Sequence, residues 1–390
     1  MKKKYLALIP VVLVSVLIAF FATIQVTREN YTPTATSKPG ETIKPEYIEV
    51  TDVLNRLVRV QKYPSKIVAI GPGALRLVIY LDALNLLAGV EEVEVTWNPL
   101  GRDYAMAYGD YLKKLPIIGP GGPRSTPDPE KIRSVKPDLV IMSSIYAQLY
   151  DPDRLSREVN APVIVVDYGE AGYLDVNGVK SALILLGKVL NREERARELC
   201  TYIDSIVDDL ANRTRNIANK PSVYVGAVSY KGSQPFTSSQ VRFPPLVLLN
   251  TSSIVDNASS KAGFISVDFE YILSAQPLYI FIDLNNLNVV LDEFNKDKAK
   301  FCALTAFKEQ RIYSILPFNY YYTNVATALA DAYYMGKVLY PDQFIDVDPI
   351  RKADEIFKVF LGRELYHLFL EGYRVGFDNL SNMFTCSTGV

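Results

Sequence analysis

Histidine occurs once in these 390 residues, as His367, and cysteine three times, at Cys200, Cys302 and Cys386. That scarcity excludes His-rich zinc chemistry, CxxC ribbons and a disulfide-dense scaffold. An excess of either charge is also missing: Lys+Arg 42 against Asp+Glu 43 leaves a formal net charge of -1. Without clustered positive charge the chain cannot displace counterions, which argues against nucleic acid as a partner. No GxSxG elbow, HExxH helix, GxxxxGK[ST] loop or GxGxxG turn occurs, so the common hydrolase, zinc-protease and nucleotide signatures are absent. What the chain does have is 49% hydrophobic residues and 26 tyrosines. A balanced chain of this length buries a large core, most naturally as two domains. Tyrosine is the polar side chain available in excess.

The first 26 residues bear on location. Lys2, Lys3 and Lys4 precede an uncharged apolar run from Tyr5 to Val26, which at about 1.5 Å per residue can cross a hydrocarbon core of about 30 Å. The lysines keep the start inside, so everything after Arg28 faces outward. Residues 1–26 read as a retained signal anchor or a cleaved signal peptide; the length of the run and the lack of a small-x-small cleavage site favour the anchor. No cysteine follows the run, which excludes a bacterial-type lipid anchor. Residues 27–46, opening TRENYTPTATSKPGETIKP, cannot bury enough surface to offset their ordering entropy and read as a flexible tether. Sequons at Asn30, Asn212, Asn250, Asn257 and Asn379 are compatible with export, but they recur at about the chance rate.

From Tyr47 onward, short apolar runs alternate with helical patterns. Lys66–Gly71, Leu139–Ser143, Val163–Asp167 and Ser222–Gly226 are expected strands, and Ala74–Leu87 and Val179–Leu190 expected helices. That alternation predicts a parallel, layered α/β fold. A further helix is expected over 192–218, following the Asn191-Arg192-Glu193-Glu194 start signal, long enough to span a small domain. One segment repeats. Asp128-Pro-Glu130-Lys-Ile132-Arg-Ser134-Val-Lys-Pro137 and Asp268-Phe-Glu270-Tyr-Ile272-Leu-Ser274-Ala-Gln-Pro277 share Asp, Glu, Ile, Ser and Pro in register, and each leads into a strand. Each copy predicts an aspartate N-cap, a glutamate favoured by the helix dipole, and a proline stop. The repeat favours two similar lobes, an N-terminal one over 47–191 and a C-terminal one over 219–346, with a helical segment over 347–390. The fold expected is therefore α/β, two Rossmann-like parallel-sheet lobes joined by one long helix.

Four stretches now carry a resemblance: YPSKIVAIGPGALRLVIYL (63–81), LPIIGPGGPRSTPDPEKIRSVKPDLVIM (115–142), GVKSALILLGKVLNREERARELC (178–200) and FNYYYTNVATALADAYYMGKVLYP (318–341). From about Tyr47 to Leu370 the chain resembles the iron-complex and cobalamin group of ABC-transporter solute-binding proteins, whose lobes are linked by a rigid helix. The resemblance implies capture of a chelated metal (a ferric siderophore or haem) or a cobamide between the lobes, with delivery to an ABC permease and its ATPase. It implies no catalysis and no cofactor beyond that ligand; with the N-terminal segment, a monomer is expected outside the cytoplasm, tied to the cell membrane through the N-terminal helix. It also implies docking on the permease through one acidic residue per lobe, for which Glu130 and Glu270 are the candidates; a dipole-favoured surface glutamate is the alternative.

The ligand should sit outside the carboxyl ends of the strands. The residues expected there are Arg76, Trp97, Arg102, Tyr104, Tyr108 and Tyr168 from the first lobe. From the second lobe they are Tyr230, Lys231, Tyr320 and Tyr321. Aromatic faces and guanidinium groups suit a bulky planar or carboxylate-bearing complex; packing of these residues within the lobes is the alternative for each. The Phe318–Tyr322 run is expected to open a helix continuing to Leu339. No catalytic residue and no bare-metal ligand set is expected, because a naked ion needs convergent anionic ligands. An enzyme is disfavoured, since His367 lies in a late helical stretch far from these loops. Capture of another metal or an oxyanion, or a structural surface role without transport, remain the other readings.

Overall fold

The computed structural model describes residues 46–386. The expected anchor and nearly all of the tether lie outside those residues. Among the described residues no helix is long and apolar enough to cross a membrane.

The chain opens with an antiparallel hairpin of β1 (Tyr47–Thr51) and β2 (Leu57–Gln61). Then come β3 (Ile67–Ile70), β4 (Leu87–Gly89), β5 (Leu139–Ser143) and β6 (Val163–Val166), paired in the order β4-β3-β5-β6 and all parallel. Strands β3, β5 and β6 are buried at every position, which is why their sequences are unbroken apolar runs rather than alternating ones. The second half holds β7 (Val223–Gly226), the antiparallel ribbon of β8 (Ser238–Val241) and β9 (Gly263–Ser266), then β10 (Tyr279–Asp283) and β11 (Ile312–Ile315). Strands β7, β10 and β11 form a second parallel sheet in the order β11-β10-β7.

Between β6 and β7 run two helices, Val176–Leu190 and Glu193–Thr214. The second has 22 residues and so spans about 33 Å. Its first turn is bonded to the first lobe, Arg195 Nε donating to the Tyr80 carbonyl at 3.1 Å. Its last turn is bonded to the second, where Arg213 grips the Asp346 carboxylate through Nη1 and Nη2 at 2.7 and 2.9 Å. The two helices touch because Gly187 has no side chain: a Cβ there would lie 2.7 Å from that of Ala196.

Several expectations are corrected. The helix after β3 stops at Tyr80, and residues 84–86 form a separate 3-10 turn before β4. Asp128 caps its helix, accepting from the Lys131 amide at 3.1 Å, whereas Asp268 occupies the same position without a side-chain cap bond. The Phe318–Tyr322 run does not open a helix. The helix begins at Val325, and Tyr321 and Tyr322 adopt left-handed φ of 51° and 81° in the loop before it, a conformation that costs a non-glycine residue about 1 kcal/mol or more. One tie escaped sequence reading: Cys302 and Cys386, 84 residues apart, form a disulfide that fastens the end of the described chain to the second lobe, while Cys200 stays buried and free.

Candidate binding cleft

Each parallel strand hands its chain to a loop at its carboxyl end, and these loops face one cavity of about 870 Å³. Pro72 follows β3, Ile145 follows β5 and Ala171 follows β6 on one side. Ser229 follows β7, Asn285 follows β10 and Asn319 follows β11 on the other. The cavity is thus defined by two facing sheet edges, where open α/β sheets place ligands.

Aromatic rings make much of its wall. Trp97 stacks on Tyr320 with ring centroids 6.3 Å apart and meets Tyr321 edge-on at 5.3 Å. Across the cavity Tyr230 stacks on Phe264 at 4.4 Å, and the Lys231 ammonium sits 4.8 Å from the centre of the Tyr230 ring. Of the residues expected at the ligand, Trp97, Tyr230, Lys231, Tyr320 and Tyr321 lie on this wall.

The other five lie elsewhere, and each has a physical reason. Arg76 is 0% exposed and commits all five of its N–H groups inside the protein. Nε donates to Asp103 at 3.0 Å, Nη1 to the Tyr168 hydroxyl and the Tyr321 carbonyl, and Nη2 to the Tyr320 carbonyl and the Asn324 side chain. Arg102, also 0% exposed, donates to Glu94 at 2.8 Å and to the Trp97 carbonyl at 3.1 Å, with its Nε enclosed and unbonded. Tyr104 is buried with its hydroxyl on Glu94 at 2.8 Å, and Tyr168 is buried under Gly73. Gly73 has φ of 85°, and a Cβ there would fall 2.5 Å from the Tyr168 hydroxyl, so only glycine fits the turn. Tyr108 faces away, donating to the Leu361 carbonyl at 2.6 Å. These residues shape the wall from behind. A buried guanidinium is costly without a counter-charge, and each of these has a carboxylate, Asp103 for Arg76 and Glu94 for Arg102.

Sequence reasoning missed Asn286 and Tyr373 and did not single out the carboxamides of Asn98, Asn285 and Asn319, though their loops and Tyr322 were expected at the cleft; all are on the wall. Asn285 and Asn319 fall in loops expected at the strand ends, so asparagine after a buried strand was an available signal. Tyr373 comes from the late helix Tyr366–Tyr373 and had none. Also missed was Glu91, buried under the wall, which accepts from the Gly71 amide at 2.8 Å and from the Tyr321 hydroxyl at 3.2 Å. Burial pushes its carboxyl up to about 7, and burial likewise pushes Asp283 up to about 6. Among the described residues no cluster of three or more His, Cys, Asp or Glu side chains could hold a metal ion.

The family model described as periplasmic binding protein matches residues 67–317, and the chain belongs to that family of extracytoplasmic, non-enzymatic binding proteins. It is similar to the molybdate-binding protein MolA of Haemophilus influenzae, 22% identical over 334 residues that cover 80% of this chain and 90% of that one. It is also similar to the petrobactin-binding protein YclQ of Bacillus subtilis, 25% identical over 251 residues, 64% of this chain and 73% of that one. Among solved structures, the TroA-like periplasmic binding protein FepB from Veillonella parvula superimposes with a TM-score of 0.63 at 21% identity, covering 81% of this chain and 97% of that one; that likeness shows the shared fold.

Proposed function

We propose that the protein is the solute-binding component of an ABC importer, capturing a metal chelate or a corrinoid between its two lobes and passing it to the permease. The observation that carries this reading is the aromatic-walled cavity of about 870 Å³ between the carboxyl edges of two parallel sheets, a size and lining suited to a bulky organic ligand. Relatives that bind a ferric siderophore and ferric citrate support it. Trp97 is the one tryptophan of the chain and stands on the cavity wall, so its fluorescence reports occupancy. Titration of the full-length protein in detergent with ferric siderophores, haem and cobamides should quench or shift that emission for at least one of them. No response to any would sink the reading.

Tyr5–Val26 tethers the binding lobes to the membrane as an uncleaved anchor, with the protein acting as a monomer; mass measurement of the mature chain should retain residues 1–26. Glu130 and Glu270 are exposed in the first turns of the helices leading into β5 and β10. A crossover helix runs antiparallel to its strands, which puts these first turns on the cleft-facing edge of each sheet. They dock on basic residues of the permease. Reversing both charges should abolish uptake while ligand affinity stays intact, and unchanged uptake would refute the docking role.

A further inference from the structure

We infer that the cleft selects a chelate or macrocycle of zero or low positive net charge, held by ring stacking and carboxamide hydrogen bonds, and discriminates against polyanions. This rests on the solute-binding reading above and narrows its ligand class.

The cavity wall offers one ionisable cation, Lys231, and no carboxylate. Lys231 is exposed, so solvent screens it, and a single pair with it contributes at most about 1 kcal/mol. The two arginines nearest the wall are both 0% exposed and ion-paired: Arg76 spends its donors on five acceptors, and Arg102 pairs with Glu94 and the Trp97 carbonyl, its unbonded Nε enclosed. Recruiting either to an anion would strand a buried carboxylate.

Backbone amides at strand ends are the other common anion seats, and here the protein fills them itself. The Gly71 amide after β3 donates to Glu91 at 2.8 Å. The Ile145 amide after β5 donates to the Ser143 hydroxyl at 3.3 Å, and the Gly169 amide after β6 to Asp167 at 3.0 Å. In the second lobe Asp283 takes the amides of both Ser229 and Asn285, each at 2.9 Å. Side chains of this protein thus occupy the places an oxyanion would take. What lines the cavity instead is aromatic surface from Trp97, Tyr230 and Tyr320, with Lys231 already over the Tyr230 ring and Arg102 over the Tyr320 ring, a lining suited to a guest of low charge. Asn98 and Asn319 put uncharged carboxamides on the wall, and Asn319 is braced by its own Nδ2, which donates to the Ser229 carbonyl at 2.8 Å. The cavity is also far larger than a bare oxyanion.

The test is Trp97 fluorescence titration of the full-length protein in detergent with five probes: an uncharged ferric trihydroxamate, cationic cobinamide, triply anionic ferric tris-catecholate, haem with its negative propionates, and molybdate. At least one of the first two should bind about tenfold or more tighter than any anionic probe, and raising the salt concentration should change its Kd by less than about twofold. Asn319→Leu, checked for folding by circular dichroism, should weaken that probe about tenfold, as expected when a carboxamide contact is lost to an apolar group. An anionic probe binding tightest, or binding that collapses with salt, overturns the charge selectivity and leaves the solute-binding reading standing. Silence from all five overturns both.

Discussion

Arg76 and Asn324 are separated by 248 positions in sequence, and Arg76 Nη2 donates to Asn324 Oδ1 at 2.7 Å. The same Asn324 side chain accepts from the Asp103 amide at 3.1 Å and donates to the Phe318 carbonyl at 2.9 Å. One guanidinium therefore ties the helix after β3 to the loop after β11 and orients the Tyr320 and Tyr321 backbone that presents two rings to the cleft.

Removing that tie should be costly. Arg76→Leu leaves the Asp103 carboxylate buried without its cation, held only by the Tyr80 hydroxyl and the Tyr104 amide, and leaves the Tyr321 carbonyl without its donor, a loss expected at about 3–5 kcal/mol. Urea unfolding measures it. Arg76→Lys keeps the charge but has fewer donors and no planar fork, so it should fall between the two. Equal stability of Arg76→Leu and wild type would show that the network contributes nothing.

Stability should fall as pH rises through the neutral range. Glu91 is buried with its carboxyl raised from 4.5 to about 7, so the folded protein keeps a proton that the unfolded chain has released. Its contribution is complete below about 4.5 and lost as pH passes about 7, a change of up to about 3 kcal/mol. Asp283, raised to about 6, acts with the same sign. Glu91→Gln should flatten the decline between about pH 5 and pH 8 and be the more stable form at the upper end. A wild-type curve that rises across this range would contradict the assignment.

The Cys302–Cys386 disulfide closes a loop spanning 84 residues. Replacing both cysteines by serine should lower stability by about 2–5 kcal/mol. Thiol titration of the native protein should stay silent, because Cys200 is buried, and should report one thiol on unfolding without reductant. A reactive thiol in the native state would mean the bridge does not form.

Ligand capture should move the lobes little. A continuous helix, Glu193–Thr214, and the Arg76 network both cross between them, and neither offers the loop-like hinge that large closure requires. Spin labels at Glu130→Cys and Glu270→Cys, both exposed sites, should shift in mean separation by less than about 3 Å on ligand addition. A larger change would indicate a hinge that these contacts do not reveal.

Much of the architecture was legible because its signals are local. Ile67–Ile70 and Leu139–Ser143 are apolar at nearly every position since both faces of a parallel sheet are covered, and the Asp128 and Asp268 segments announce equivalent strands, β5 and β10. The Tyr320–Tyr322 run misled for a local reason as well. An Ala-rich helical pattern follows it, and the local start signal at Thr323-Asn324, where Asn324 is the N-cap, was passed over.

By itself, then, the sequence determined the two-sheet α/β plan, the edges where a ligand belongs, and the absence of chemistry built on histidine. Only the tertiary structure decided which charges reach that site. Arg76 and Arg102 look like ligand-binding guanidiniums in one dimension, but Arg102 pairs with Glu94 rather than its neighbour Asp103, which belongs to Arg76. Residue type sets what a group can bond. Its partner is set by chain segments that meet only on folding, and burial makes that pairing compulsory.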